Sequence, residues 1–258
     1  MNWKERFESR DSALCVGLDP VESRIPDGVS VAEFLDAVVE VTAEQAACYK
    51  PNIAFFERLG LAGLTLLAGL VKSIRERGIP VLIDAKRGDI ASTATAYAEA
   101  YFGGPFDCDA LTVNPSLGLD TVEPFRDAAR ARGRGVFLLL RTSNPGAAQF
   151  QDASEPILVE AIRAEPAYGA VVGATDAGAG ARLRAALPDT LFLVPGFGAQ
   201  GGTDLRPFFD ARGRGALVNS SRGILYAGEG GTWTERKDAI REAAKVARGT
   251  IEKARRDG

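Results

Sequence analysis

The side chains best spaced for chemistry are Asp84, Lys86 and Asp89, which end the apolar run Val-Leu-Ile-Asp-Ala-Lys-Arg-Gly-Asp-Ile at residues 81–90. Side chains two apart on a strand project from one face, so Asp84 and Lys86 point the same way, while Gly88 lets the chain turn and present Asp89 beyond them. Opposite charges this close favour the ionised form of each, because their attraction offsets desolvation. Such a cluster is either a salt-bridged strand end or a charged catalytic centre. The chain contains no histidine, which removes Ser-His and Cys-His nucleophilic pairs and histidine-based metal sites. Lysine and carboxylate chemistry must therefore carry any catalysis, and composition alone leaves room for a carboxylate-only magnesium site.

The elements that hold this cluster follow from the hydropathy pattern. Eight apolar, β-branched runs, at 13–18, 49–55, 81–86, 110–114, 136–141, 169–173, 191–195 and 216–219, alternate with helical periodicity. Helices are predicted at 31–47, 58–77, 90–101, 121–132, 155–164 and 234–255. Eight βα units favour a closed (β/α)8 TIM barrel over an open doubly wound sheet. The 258 residues, 46% hydrophobic and 25% charged, suit one large core, and no linker or low-complexity tract divides them, so residues 1–258 are expected to form one catalytic domain. A net charge of −3 argues against a general nucleic-acid or membrane-surface binder, though not against a local basic pocket for a phosphorylated metabolite. Cys15, Cys48 and Cys108 have neither metal-ligand spacing nor a disulfide framework. The polar start lacks a secretory core and no apolar run reaches spanning length, so a cytoplasmic protein is expected.

In barrels of this kind the active site lies at the C-terminal strand ends, and the polar punctuation falls there: Asp19-Pro20, Lys50-Pro51-Asn52, Asp84 to Asp89, Asn114-Pro115, Thr142-Ser143-Asn144-Pro145 and Asn219-Ser220-Ser221-Arg222. The seventh and eighth ends add a Gly-rich loop, Pro195 to Gly202, and the guanidinium of Arg222. Loops after strands seven and eight are the recurrent phosphate site of this fold, and a Gly-rich backbone beside an arginine suits that role.

Read together, these motifs resemble the orotidine 5′-phosphate decarboxylase family, in its longer bacterial branch. Val16-Gly17-Leu18-Asp19-Pro20, Lys50-Pro51-Asn52, Asp84-Ala85-Lys86-Arg87-Gly88-Asp89-Ile90, Ser143-Asn144-Pro145-Gly146, Pro195 to Gly201 and Ser221-Arg222 occur in family order along nearly the whole chain. The resemblance implies decarboxylation of orotidine 5′-phosphate to uridine 5′-phosphate without metal or organic cofactor, in a homodimer with shared active sites. It further implies that Lys86 stabilises and protonates the carbanion, that Asp84 and Asp89 hold Lys86 charged, and that Lys50 links Asp84 to the ribose. By the same resemblance Asp19 contacts the ribose hydroxyls, Ser143 or its neighbour Thr142 the pyrimidine amide edge, and Gln200 and Arg222 the phosphate. Asp89 and Thr93 would enter the neighbouring subunit's site. Ser116 departs from the family, where many relatives carry an aromatic residue.

Other readings are weaker. A magnesium-dependent enzyme acting on a keto-sugar phosphate shares Asp84, Lys86 and Asp89 but typically uses a histidine. A non-catalytic nucleotide-binding protein has no need of all four array residues. Adhesion through Arg87-Gly88-Asp89 rests on three residues without a secretion signal.

Overall fold

The computed structural model describes residues 2–198 and 204–256, and it forms a (β/α)8 barrel. The strands are β1 Leu14–Leu18, β2 Cys48–Pro51, β3 Leu82–Arg87, β4 Ala110–Val113, β5 Gly135–Arg141, β6 Tyr168–Val172, β7 Phe192–Val194 and β8 Ala216–Ser220. All paired neighbours are parallel, in the order β2-β1-β8-β7-β6-β5-β4-β3. Parallel bridges Tyr49↔Val81 and Asn52↔Asp84 close the ring between β2 and β3. Helix α1 (Trp3–Glu8) precedes β1, and α2 (Val31–Thr42) leads into β2. Helices α3 (Ile53–Glu57) and α4 (Gly60–Glu76) follow β2, α5 (Ala91–Tyr101) follows β3, and α6 (Glu123–Arg130) follows β4. Then come α7 (Ala148–Ala164), α8 (Ala177–Ala186), α9 (Arg222–Leu225) and α10 (Trp233–Arg256).

The period of two along each strand sorts apolar side chains into two cores. Val16, Tyr49, Ile83, Leu111, Leu138, Val172, Val194 and Val218 face the helices. Cys15, Cys48, Leu82, Ala110, Phe137, Val171, Leu193 and Leu217 fill the barrel with Trp3 and Phe7 of α1. Trp3 and Phe7 stopper the N-terminal end, edge-on to Phe137 at 5.5 and 6.5 Å. Gly135 is required there, since a Cβ at that position would collide with the Trp3 ring. One step further along the same inward rows, apolar side chains give way to Lys50, Asp84 and Thr112, so the barrel is apolar below and charged above.

Several element boundaries differ from expectation for local reasons. The second strand, expected to run to Phe55, stops at Pro51, which has no ladder donor, and Asn52 starts α3 by accepting from the Ala54 amide at 3.1 Å. Helix α7 starts seven residues before the expected 155 and carries Pro156 inside it. Helix α8, with the Gly-rich sequence AGAGARLRAA, has almost no apolar stripe to betray it and is initiated by the Asp176 cap. Helix α2 ends at Thr42 rather than 47. No helix among the described residues is long and apolar enough to cross a membrane.

Candidate active site

A cavity of about 1090 Å³ opens at the C-terminal ends of the strands, and Asp19, Lys50, Asp84, Lys86, Ser143 and Arg222 all line it. Asp84, from β3, is its electrostatic hub. Its Oδ1 accepts from the Lys86 ammonium at 2.6 Å and from the Thr112 hydroxyl at 2.9 Å. Its Oδ2 accepts from the Lys50 ammonium and the Asn52 amide, both at 3.3 Å. Burial alone would raise the Asp84 carboxyl, but Lys50, Lys86 and the hydrogen bonds from Lys86 and Thr112 outweigh it and hold it down to about 2. Lys50, 4% exposed, shows the converse: burial would lower its pKa, and the Asp84 and Asp19 carboxylates overcome that and raise it. Lys86 differs in exposure, with 47% of its side chain open at the cavity. A sandwiched carboxylate therefore presents one ammonium to whatever occupies the cavity while a second anchors it from below.

The remaining strand ends complete the wall. Asp19, just after β1, accepts at Oδ2 from the Ser221 hydroxyl at 2.7 Å, while its Oδ1 is buried without a partner among the described residues. Gly17 makes this approach possible, since a Cβ there would stand 2.6 Å from that of Ser221. At the end of β5 the Thr142 hydroxyl is committed, donating to Asn144 at 2.6 Å and accepting from Gln151 at 2.8 Å. The adjacent Ser143 hydroxyl has no partner among the described residues. Arg222 is exposed at the start of α9, beside Pro195 and Gly196 of the loop after β7. Ser116 lies at the cavity mouth.

Asp89 and Thr93 are placed apart from this group. Beyond Gly88, Asp89 accepts from the Ile90 amide at 2.8 Å and pairs with no lysine or arginine among the described residues, and neither it nor Thr93 lines the cavity. Ile90, Ala91, Ser92 and Thr93 are all exposed. Gln200 lies outside the described residues. Sequence reasoning placed Asn52, Asn219 and Ser221 at the polar strand ends without giving them roles and passed over Thr112; counting by two along the inward row from Ala110 reaches it, and that was the signal available.

The comparisons with known proteins agree with one another. The Orotidine 5′-phosphate decarboxylase / HUMPS family matches residues 12–235. An orotidine 5′-phosphate decarboxylase of Deinococcus radiodurans is 47% identical over 237 residues, covering 86% of this chain and 87% of that protein. Another, from Roseiflexus castenholzii, is 43% identical over 277 residues, covering 97% and 98%. The solved structure of Leishmania donovani OMP decarboxylase superimposes with a TM-score of 0.82 at 35% identity, covering 99% of each chain. With an eightfold barrel, a lysine-flanked carboxylate at its mouth and matches of this extent, the chain belongs to the orotidine 5′-phosphate decarboxylase family.

Proposed function

We propose that a cofactor-free lysine and aspartate array performs the reaction that family membership gives this chain, the decarboxylation of orotidine 5′-phosphate to uridine 5′-phosphate in pyrimidine biosynthesis. The observation that carries the proposal is Asp84 held between two ammonium groups, one of them open to the cavity. Loss of carbon dioxide leaves an electron pair in the plane of the pyrimidine ring, where it cannot delocalise into the ring carbonyls. A fixed positive charge beside that carbon must stabilise it. Lys86 supplies the charge and then the proton, so electrostatic preorganisation and general acid catalysis act through one side chain. Asp84 and the buried Lys50 hold that ammonium in place before substrate arrives, so little reorganisation is left for the reaction itself. Both Asp84 oxygens already face ammonium groups, a setting that repels a metal cation.

In this reading Asp19 receives the ribose hydroxyls, for which its unpartnered Oδ1 is suited, and Ser143 offers the pyrimidine edge a free hydroxyl. Arg222, with Gln200, takes the phosphate. Phosphate binding is remote from the reacting carbon, so its energy can be directed to assembling the site. Half-buried Asp89 and exposed Thr93, neither of which lines its own cavity, serve the site of a second copy in a homodimer. Residues 1–258 act as one domain. Three free, buried cysteines accord with the reducing cytoplasm.

The test is ultraviolet detection of uridine 5′-phosphate formed by purified protein, with and without a strong chelator. Turnover insensitive to the chelator is expected, and Lys86→Ala is expected to abolish it while leaving uridine 5′-phosphate binding and the fold largely intact. Near-normal turnover by Lys86→Ala would sink the array mechanism, and dependence on added magnesium would favour enediolate chemistry instead.

A further inference from the structure

Lys86 has a backbone φ of +47°, in the left-handed region that a residue with a Cβ seldom occupies. Such strain persists only where the surroundings over-determine it. Its cause is a break in register between β3 and β4. Ile83 pairs with Leu111 and Arg87 with Val113, so four steps along β3 are matched by two along β4. The surplus backbone of the bulge loses its ladder partners, and the residue opposite it is Thr112.

Thr112 is 1% exposed. Its hydroxyl accepts from the Lys86 backbone amide at 2.9 Å and lies 2.9 Å from Asp84 Oδ1. An amide can only donate and an ionised carboxylate can only accept, so the hydroxyl hydrogen must point at Asp84. The same Oδ1 receives the Lys86 ammonium at 2.6 Å. Lys86 amide, Thr112 hydroxyl, Asp84 carboxylate and Lys86 ammonium thus form a closed ring, in which both ends of one lysine are tied to one oxygen atom. The ladder resumes immediately afterwards, where the Asn114 amide donates to the Arg87 carbonyl at 2.7 Å.

We propose that Thr112 is the positioning residue of this site: its hydroxyl holds Lys86 in the left-handed conformation and fixes the Asp84 oxygen on which the lysine docks. The inference rests on the array mechanism above and assigns the device that aims it. β-Branching adds to the effect, because Thr has few χ1 rotamers and its methyl group is packed in the buried wall. Valine in its place would fill the same space and leave the Lys86 amide without a partner.

Thr112→Val, Thr112→Ser and Lys86→Ala, each compared with the unaltered protein, provide the test. For Thr112→Val, kcat is expected to fall roughly 10- to 100-fold, the range for losing a hydrogen bond to a charged group. Uridine 5′-phosphate, used as a competitive inhibitor, should bind within about threefold of normal, since product binding does not draw on transition-state alignment. Thr112→Ser keeps the hydroxyl and should recover most of the lost turnover. Unchanged kcat in Thr112→Val beside an inactive Lys86→Ala would overturn the role of Thr112 and leave the array standing. Active Lys86→Ala would overturn both. Equal loss of kcat and inhibitor binding, with no recovery by serine, would reduce Thr112 to a packing residue and overturn the inference. Should Thr112→Val not fold, Thr112→Cys, similar in size and a weak donor, takes its place under the same criteria.

Discussion

Asp84 has the strongest local constraints, with four donors on its two oxygens, and its titration has a definite sign. Its folded pKa of about 2 lies below the ordinary 3.8, so its ionisation contributes stability that is fully present above the unfolded value and lost as pH falls from there through the folded one. That contribution is about 2 kcal/mol at neutral pH. Asp84→Asn should therefore be less stable than the unaltered protein in urea at pH 7, and the gap should narrow between pH 4 and pH 2, where the native carboxyl also becomes neutral. A gap independent of pH would mean that the pair contributes nothing through ionisation. Arg222 is the opposite case, an exposed cation proposed above to bind the substrate phosphate. Arg222→Ala should lower kcat/KM for orotidine 5′-phosphate by roughly 10- to 150-fold, the equivalent of about 1.5–3 kcal/mol for a charge-assisted hydrogen bond. The nucleoside lacking the phosphate should be turned over equally by both proteins; an equal loss on that substrate would remove Arg222 from the phosphate site. Which of Thr142 and Ser143 is free was not readable from two adjacent hydroxyls, because the answer depends on Gln151, reached only once α7 packs against β5.

Elements matter here chiefly where they depart from regularity. Both register shifts in the barrel fall on strands that carry site residues: one on β3 before Arg87, the other on β5 between Leu139 and Arg141. The second lets Arg141 leave the inward row and bind Asp152 and Glu155 of α7 at 2.6 and 3.0 Å, drawing that helix over the cavity. Near the starts of β7 and β8, backbone carbonyls converge on one arginine. Arg184 of α8 is buried and donates to the carbonyls of Leu187, Pro188, Thr190, Phe208 and Gly215, with its guanidinium 3.7 Å from the Phe192 ring centroid. Burial brings its pKa down to about 10, which still leaves it charged at neutral pH. A lysine cannot reproduce the planar fork. Arg184→Lys should cost about 2–4 kcal/mol in urea unfolding while kcat of the folded fraction stays within about twofold. A loss under about 1 kcal/mol would show that the carbonyls are as well served by water.

Taken as a whole, the molecule leaves two of the expected site residues, Asp89 and Thr93, outside the lining of its own cavity. Thr93 lies in an exposed stretch that begins with Ile90, itself 60% exposed, and half-buried Asp89 immediately precedes it. If a second copy covers that stretch, Lys86→Ala and Asp89→Ala proteins, each inactive alone, should regain activity when mixed. A mixed dimer has one site with both defects and one with neither, so full exchange at equal amounts restores about a quarter of native sites. No recovery after verified subunit exchange would confine Asp89 to its own chain. What the sequence by itself determined is what short-range physics controls. Alternating strand and helix periods specified eight βα units, because those periods follow from local backbone geometry; the spacing of Asp84 and Lys86 anticipated their meeting, although the bulge interrupts the regular period of two between them. Tertiary structure decided the rest. Asp84 meets Lys50 and Thr112 across separations of 34 and 28 residues, and Ser221 meets Asp19 across 202, only because the barrel closes. The left-handed Lys86 is likewise invisible in its own segment, since the bulge that forces it exists only in the pairing of β3 with β4.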